Sequence, residues 1–155
     1  MNKKSLFKLI ACVLLCLSAG FLGSMFTTPA IPVWYAGLNK PFFTPPSWLF
    51  APVWTMLFIM MGVSLYIFLT QKNRSEKGLV FFCTQLILNT LWSILFFGMK
   101  NPVLALTEIL LLWGFIVLTI IEFRKVSKVS SYLLLPYLLW VTFASILNLS
   151  IALLN

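Results

Sequence analysis

The chain contains no histidine and no aspartate, and its only acids are Glu76, Glu108 and Glu122. Without an imidazole or a pair of carboxylates, ordinary acid–base catalysis lacks its usual groups. The cysteines Cys12, Cys16 and Cys83 stand inside apolar stretches without the spacing of metal ligands. Neither a metal site, a metal cofactor nor a disulfide framework is expected. Charge is scarce too: 9% of the 155 residues are charged, against 61% hydrophobic. A soluble domain of this size needs a far more charged surface, so most of these side chains must face lipid or one another.

What charge there is lies in short clusters between long apolar runs. The net charge is +8, from 11 basic residues. A nucleic-acid binder would need a solvated basic face, which this arrangement does not supply. Five runs approach the roughly 20 residues that cross a bilayer: 5–26, 48–70, 79–97, 103–123 and 131–154. Lipid offers no partners to backbone N–H and C=O groups, so each run is read as a helix. The fold class is therefore all-α, a single membrane domain of five transmembrane helices. Ser47 before the second run, Asn101-Pro102 before the fourth and Ser131 before the fifth supply helix-start chemistry. Pro136 belongs to a kink or a first turn. Lys3, Lys4 and Lys8 ahead of apolar residues also resemble a secretory signal, and Leu9 to Cys12 resembles a lipoprotein cleavage site. Apolar residues continue well past Cys12, so a retained first helix is the expectation.

Basic residues set the orientation. The N-terminus, the 71–78 connection and the 124–130 connection carry nine, whereas the opposite side carries only Lys40 and Lys100. Lys and Arg collect on the cytoplasmic side. A cell-membrane, multi-pass protein with its N-terminus in the cytoplasm and its C-terminus outside is expected.

The 27–47 connection differs from the others. Six of the eight prolines lie between Pro29 and Pro52, among Trp34, Tyr35, Phe42, Phe43, Trp48 and Trp54. Proline fixes φ and restricts its predecessor, so the loop is stiff. An aromatic belt at the headgroup level would account for Trp34 and Trp48. A belt does not need so many prolines, whereas a stiff aromatic loop over one end of a bundle suits a lid on a pocket.

The segment W-Y-A-G-L-N-K-P-F-F-T-P-P-S-W-L-F-A-P-V-W, residues 34–54, closely resembles the signature of the TspO/translocator protein family, which includes the peripheral benzodiazepine receptor. L-N-T-L-W-S-I-L-F-F-G at 88–98 and P-Y-L-L-W-V-T-F-A-S-I-L-N at 136–148 agree with it, so the resemblance spans essentially the whole chain in order. It implies a five-helix fold, often homodimeric, that binds porphyrins, benzodiazepine-type drugs and, in animal members, sterols. By the same resemblance Trp54, Trp92, Trp140, Ala144 and Asn148 line or support the ligand cavity, with Ser24 and Ala51 as neighbours. Tyr35 and Pro45 of the loop motif are taken with them. The sterol motif of the animal branch needs a tyrosine and a basic residue near the C-terminus, and 147–155 contains neither.

The residues support a pocket independently. Trp140, Ala144 and Asn148 share one helix face, with Tyr137 nearby, and Gln85, Asn89, Trp92 and Phe96 share another. Amides facing lipid are unfavourable, so Gln85 and Asn89 should point inward, either bonding between helices or meeting a ligand. Ala19-x-x-x-Gly23 and Gly20-x-x-x-Ser24 give the first helix a small-residue face, for an intramolecular contact or a dimer seam. Glu108 is an intramembrane carboxylate and a functional suspect, although the second turn of a helix also lies close to water and to the positive helix end.

Three functions follow. The first is a membrane protein that binds a flat tetrapyrrole such as a porphyrin. The second is a light- and oxygen-dependent porphyrin-degrading enzyme, whose oxidisable residues would be Trp54 and Trp140. The third, transport of porphyrins or lipids, has neither an inverted repeat nor a charged path beyond Glu108 to support it. Lacking histidine, the chain offers haem iron no common nitrogen ligand, so the porphyrin should not need iron.

Overall fold

A computed structural model describes residues 3–155. Five helical spans are long and apolar enough to cross a membrane: Lys3–Ala30, Ser47–Leu69, Glu76–Gly98, Pro102–Val126 and Lys128–Leu154. Among the described residues there is no strand. The all-α, five-span bundle read from the sequence is the fold of the chain. We number the helices α1 (Lys3–Ala30), α2 (Ser47–Leu69), α3 (Glu76–Ser93), α4 (Pro102–Val126), α5 (Lys128–Tyr132) and α6 (Leu135–Leu154).

The helices form a ring. α1 packs along α2 and α3, α3 along α4, and α4 along α6, while α5 closes the ring against α2. Each helix turns one stripe inward at helical spacing, such as Cys12, Cys16, Ala19 and Gly23 on α1 and Tyr137, Val141, Ala144 and Ile151 on α6. The small face of α1 is consumed within the bundle. A Cβ on Gly20 would stand 2.4 Å from the Phe58 ring, and one on Gly62 would stand 2.5 Å from the Cα of Val13. Glycine is what lets α1 and α2 approach this closely.

Polar bonds lock the ring where lipid cannot compete. The Ser64 hydroxyl donates to the Ser130 carbonyl at 2.7 Å, and the Ser130 hydroxyl donates to the Ser64 carbonyl at 2.9 Å. This reciprocal pair, fully buried, ties α2 to α5. Thr90 donates to the Ala19 carbonyl at 3.1 Å and ties α3 to α1.

Several boundaries differ from the sequence expectation. α1 runs to Ala30 rather than stopping at 26, because the Thr27 hydroxyl donates back to the Gly23 carbonyl and Ile31 N–H still reaches Thr27. α3 begins at Glu76 rather than 79, with Ser75 accepting from Gly78 N–H at 3.0 Å. Its polar first turn lies outside the apolar run that marked it. α4 continues past 123 to Val126, its last turn carrying Arg124 and Lys125. Asn101 caps α4 as expected, accepting from Leu104 N–H at 3.0 Å. Ser47 is not a cap: it is the first helical residue, after Pro46. Ser131 is not a cap either. Its hydroxyl donates to Lys128, and Ser127 caps α5 through Ser130 N–H. The fifth span is broken at Leu133–Leu134 because Pro136 cannot continue the ladder and restricts the residue before it. Pro136 then sits in the first turn of α6.

Candidate functional site

α2 and α6 pack little against each other, since the ring is closed chiefly by α5 against α2 at the opposite end. The space left between them is a cavity of about 390 Å³, within the range of small-molecule pockets. It is lined by the second half of α1, the first half of α2, the end of α3 with Phe96 and Phe97 after it, and α6 from Trp140 to Ile151, and no charged side chain lines it.

The connection at 31–46 roofs this space, and its own polar groups hold it stiff. The Lys40 ammonium donates to the carbonyls of Tyr35, Leu38 and Ala36 at 2.7, 3.0 and 3.2 Å. Asn39 and Asn155 exchange bonds of 2.9 and 3.0 Å, which pin the loop to the C-terminus. Trp34 stands edge-on to Phe96 at 5.5 Å and to Phe97 at 6.4 Å. It packs the roof onto the bundle, whereas Trp48, 71% exposed, is the residue placed as a belt would be. Tyr35 faces the cavity and is buried, and its hydroxyl has no partner. Burial pushes that phenol above its ordinary value.

The walls are aromatic. Trp54 stacks on Phe58 at 5.6 Å, Trp92 stacks on Phe96 at 5.1 Å, and Trp140 meets Phe50 edge-on at 6.0 Å. Two amides fix this arrangement. Asn148 accepts from the Trp92 indole N–H at 3.0 Å and donates to the Pro102 carbonyl at 2.7 Å, joining α3, α6 and α4. Asn89 donates to the Tyr137 hydroxyl at 3.0 Å. The Trp140 indole N–H is buried without a partner. The cavity therefore offers flat aromatic faces, and the two donors left unpartnered beside it, on Tyr35 and Trp140, are buried in its walls. Phe21, Thr28, Ala51 and Thr55 line it and are also exposed outward, so it opens sideways between α1 and α2.

Of the residues singled out in the sequence, Ser24, Tyr35, Ala51, Trp54, Asn89, Trp92, Phe96, Trp140, Ala144 and Asn148 all line this one cavity. Pro45 does not; it is half-buried in the roof. Gln85 points inward, 1% exposed, yet lies outside the cavity with neither amide atom bonded. Glu108 is 5% exposed on the inner stripe of α4, likewise outside the cavity. The position near water that a second-turn Glu would allow is not the one it takes.

Leu147 and Ile151 were missed, although they continue the stripe of Trp140, Ala144 and Asn148 at helical spacing. Phe97 also lines the cavity, and no periodicity points to it. The segment directly after α3, Ile94–Gly98, is a π turn closed by Met99 N–H to the Ile94 carbonyl at 2.7 Å. Its extra residue brings Phe97 to the cavity alongside Phe96, as π turns do at many functional sites.

Fold and cavity together define a five-helix membrane protein with a roofed aromatic chamber near one membrane face. Comparison with known proteins then gives the family: residues 12–154 match the TspO/MBR family, and the chain belongs to it. It is 52% identical to the "Tryptophan-rich protein TspO" of Chlorobaculum tepidum over 100% of this chain and 99% of that one. The "Tryptophan-rich protein TspO" of Archaeoglobus fulgidus is 50% identical over 97% of this chain and 99% of its own. The human "Translocator protein" is 37% identical over 83% of this chain and 78% of its own.

Proposed function

We propose that this multi-pass membrane protein binds a flat tetrapyrrole, a metal-free porphyrin, in the roofed cavity, and that benzodiazepine-type drugs occupy the same space. The observation that carries the reading is the pairing of aromatic faces from Trp54, Trp92 and Trp140 around one uncharged chamber. Stacking against indoles suits a planar macrocycle. The absence of histidine removes the commonest axial ligand for iron. The side opening between α1 and α2 gives a lipid-dissolved ligand a way in. The nine-to-two distribution of basic residues supports an N-terminus in the cytoplasm and a roof outside. A homodimer is carried with this reading, although the small face of α1 is spent inside the bundle and does not supply its seam.

A second reading rests on one specific fact: Trp54 and Trp140 line the cavity proposed for the porphyrin, itself a photosensitiser. Under light and oxygen a bound porphyrin would be degraded beside oxidisable indoles, with the chemistry supplied by the bound molecule. Absorbance spectroscopy of the purified protein with protoporphyrin, in darkness and under illumination, tests both. A dark spectral shift that saturates, with haem binding no more tightly than the metal-free ring, is the expected result. An unchanged dark spectrum or a strong preference for haem would sink the proposal. A new species formed only in light would add the enzyme.

A further inference from the structure

A second hollow lies across the wall from the cavity, at the seam between α1 and the π turn. It measures about 320 Å³ and is walled by Met25, Phe26, Val33, Trp34 and Phe97, with Lys100 at its end. Phe97 lines both spaces and divides them. Met25 and Val33 are 60% and 76% exposed, so the groove faces the lipid. Met25 lies more than a turn below the end of α1, whereas Lys100 sits in the turn between the π segment and α4. The groove thus runs from the headgroup level into the hydrocarbon.

Its charge is uncompensated. Lys40, the other basic residue at this end of the bundle, is spent on three carbonyls. Lys100 is exposed and has neither hydrogen bond nor ion pair. Of the three acids, Glu76 begins α3 and Glu122 lies near the end of α4, both at the opposite end, and Glu108 is buried. Lys100 is also the one non-glycine residue with positive φ among the described residues, at 55°. That left-handed residue ends the π segment, Asn101 N–H reaching back to the Leu95 carbonyl at 3.2 Å, and it fixes where the Lys100 side chain leaves the bundle.

We propose that this groove binds one phospholipid with an anionic headgroup, its chain against Met25, Phe26 and Val33 and its phosphate paired with the Lys100 ammonium. A zwitterionic headgroup would bring its own cation to a groove whose lining includes no carboxylate side chain to receive it. A second parallel copy of the chain would bring no acidic side chain to Lys100 either, because its exposed Glu76 lies at the far end.

The test is native mass spectrometry of the detergent-purified full chain titrated with phosphatidylglycerol or with phosphatidylcholine. The wild type is expected to retain one phosphatidylglycerol at roughly five-fold lower lipid concentration than phosphatidylcholine, the factor one lysine supplies near anionic lipid. Lys100→Gln should abolish that preference at an unchanged unfolding midpoint. Lys100→Arg should keep it, as should Lys72→Gln at the opposite end. Val33→Trp, which fills the groove, should lower retention of both lipids. Equal retention by the wild type, or a preference that survives Lys100→Gln, would overturn the site. None of these readouts requires porphyrin binding, so the lipid site and the cavity reading stand or fall separately.

Discussion

Asn148 is the joint on which the cavity walls depend, and removing it has a calculable cost. Its amide is 1% exposed, accepts from Trp92 at 3.0 Å and donates to the Pro102 carbonyl at 2.7 Å. Asn148→Leu would strand the indole N–H and leave the carbonyl without that donor. A neutral hydrogen bond contributes about 1 kcal/mol, and those measured inside membranes average about 0.6. Two lost bonds therefore predict a destabilisation of about 1–2 kcal/mol. Trp92→Phe removes only the donor of the first bond and keeps an aromatic ring against Phe96. The double variant tests whether the bond is real. If it is, the two changes couple by about 0.6–1 kcal/mol, and the combined loss is smaller than the sum of the parts. Equilibrium unfolding in one detergent gives the stabilities, and protoporphyrin titration on the same preparations reports the wall. Additivity to within about 0.3 kcal/mol would refute the reasoning, because distant, independent sites behave that way.

Three further outcomes follow from the same geometry. Trp140→Phe removes an N–H that has no partner in the free chain, so the unfolding midpoint should barely move. Porphyrin binding should weaken by about 1 kcal/mol and any photodegradation should fall much further; equal loss of both, or loss of neither, would remove Trp140 and leave Trp54. Tyr35 has its phenol raised above its ordinary value by burial, so its contribution to stability is complete below the unfolded value near 10 and is lost as pH rises through the higher folded value. Unfolding midpoints measured across that alkaline range should fall less steeply in Tyr35→Phe than in the wild type, and parallel curves would contradict this. A cysteine at Asn39, introduced into a chain lacking Cys12, Cys16 and Cys83, should react with an impermeant reagent on intact cells; labelling only after lysis would reverse the topology.

The bundle was legible because its spans are continuous apolar runs and its charges stand between them. The cavity was legible because Trp140, Ala144 and Asn148 repeat at helical spacing, and so do Asn89, Trp92 and Phe96. What escaped has physical causes. Helix starts at polar residues, such as Glu76 after the Ser75 cap, carry no hydropathy signal. The break before Pro136 and the π turn at Ile94–Gly98 alter the backbone count, so Phe97 faces the cavity out of period. Ser131 and Ser47 have the composition of caps, but capping depends on backbone geometry, which Ser127 supplies for α5. The burial of Gln85 was expected; its failure to reach the cavity depends on which side of α3 meets α4, and no single-helix pattern contains that.

The central claim is that the space between α2 and α6 is where the ligand goes. Ala144 lines it, has no side chain beyond Cβ, and is 8% exposed. Ala144→Phe would put a ring into that space while leaving Asn148, Trp92 and the roof in place. Dark absorbance titration of metal-free protoporphyrin into the wild type and this variant, at matched unfolding midpoints, measures the claim directly. The wild type is expected to show a saturable shift at one porphyrin per chain and the variant binding at least ten-fold weaker, about 1.4 kcal/mol or more. Equal saturation of both proteins would mean that the porphyrin binds elsewhere.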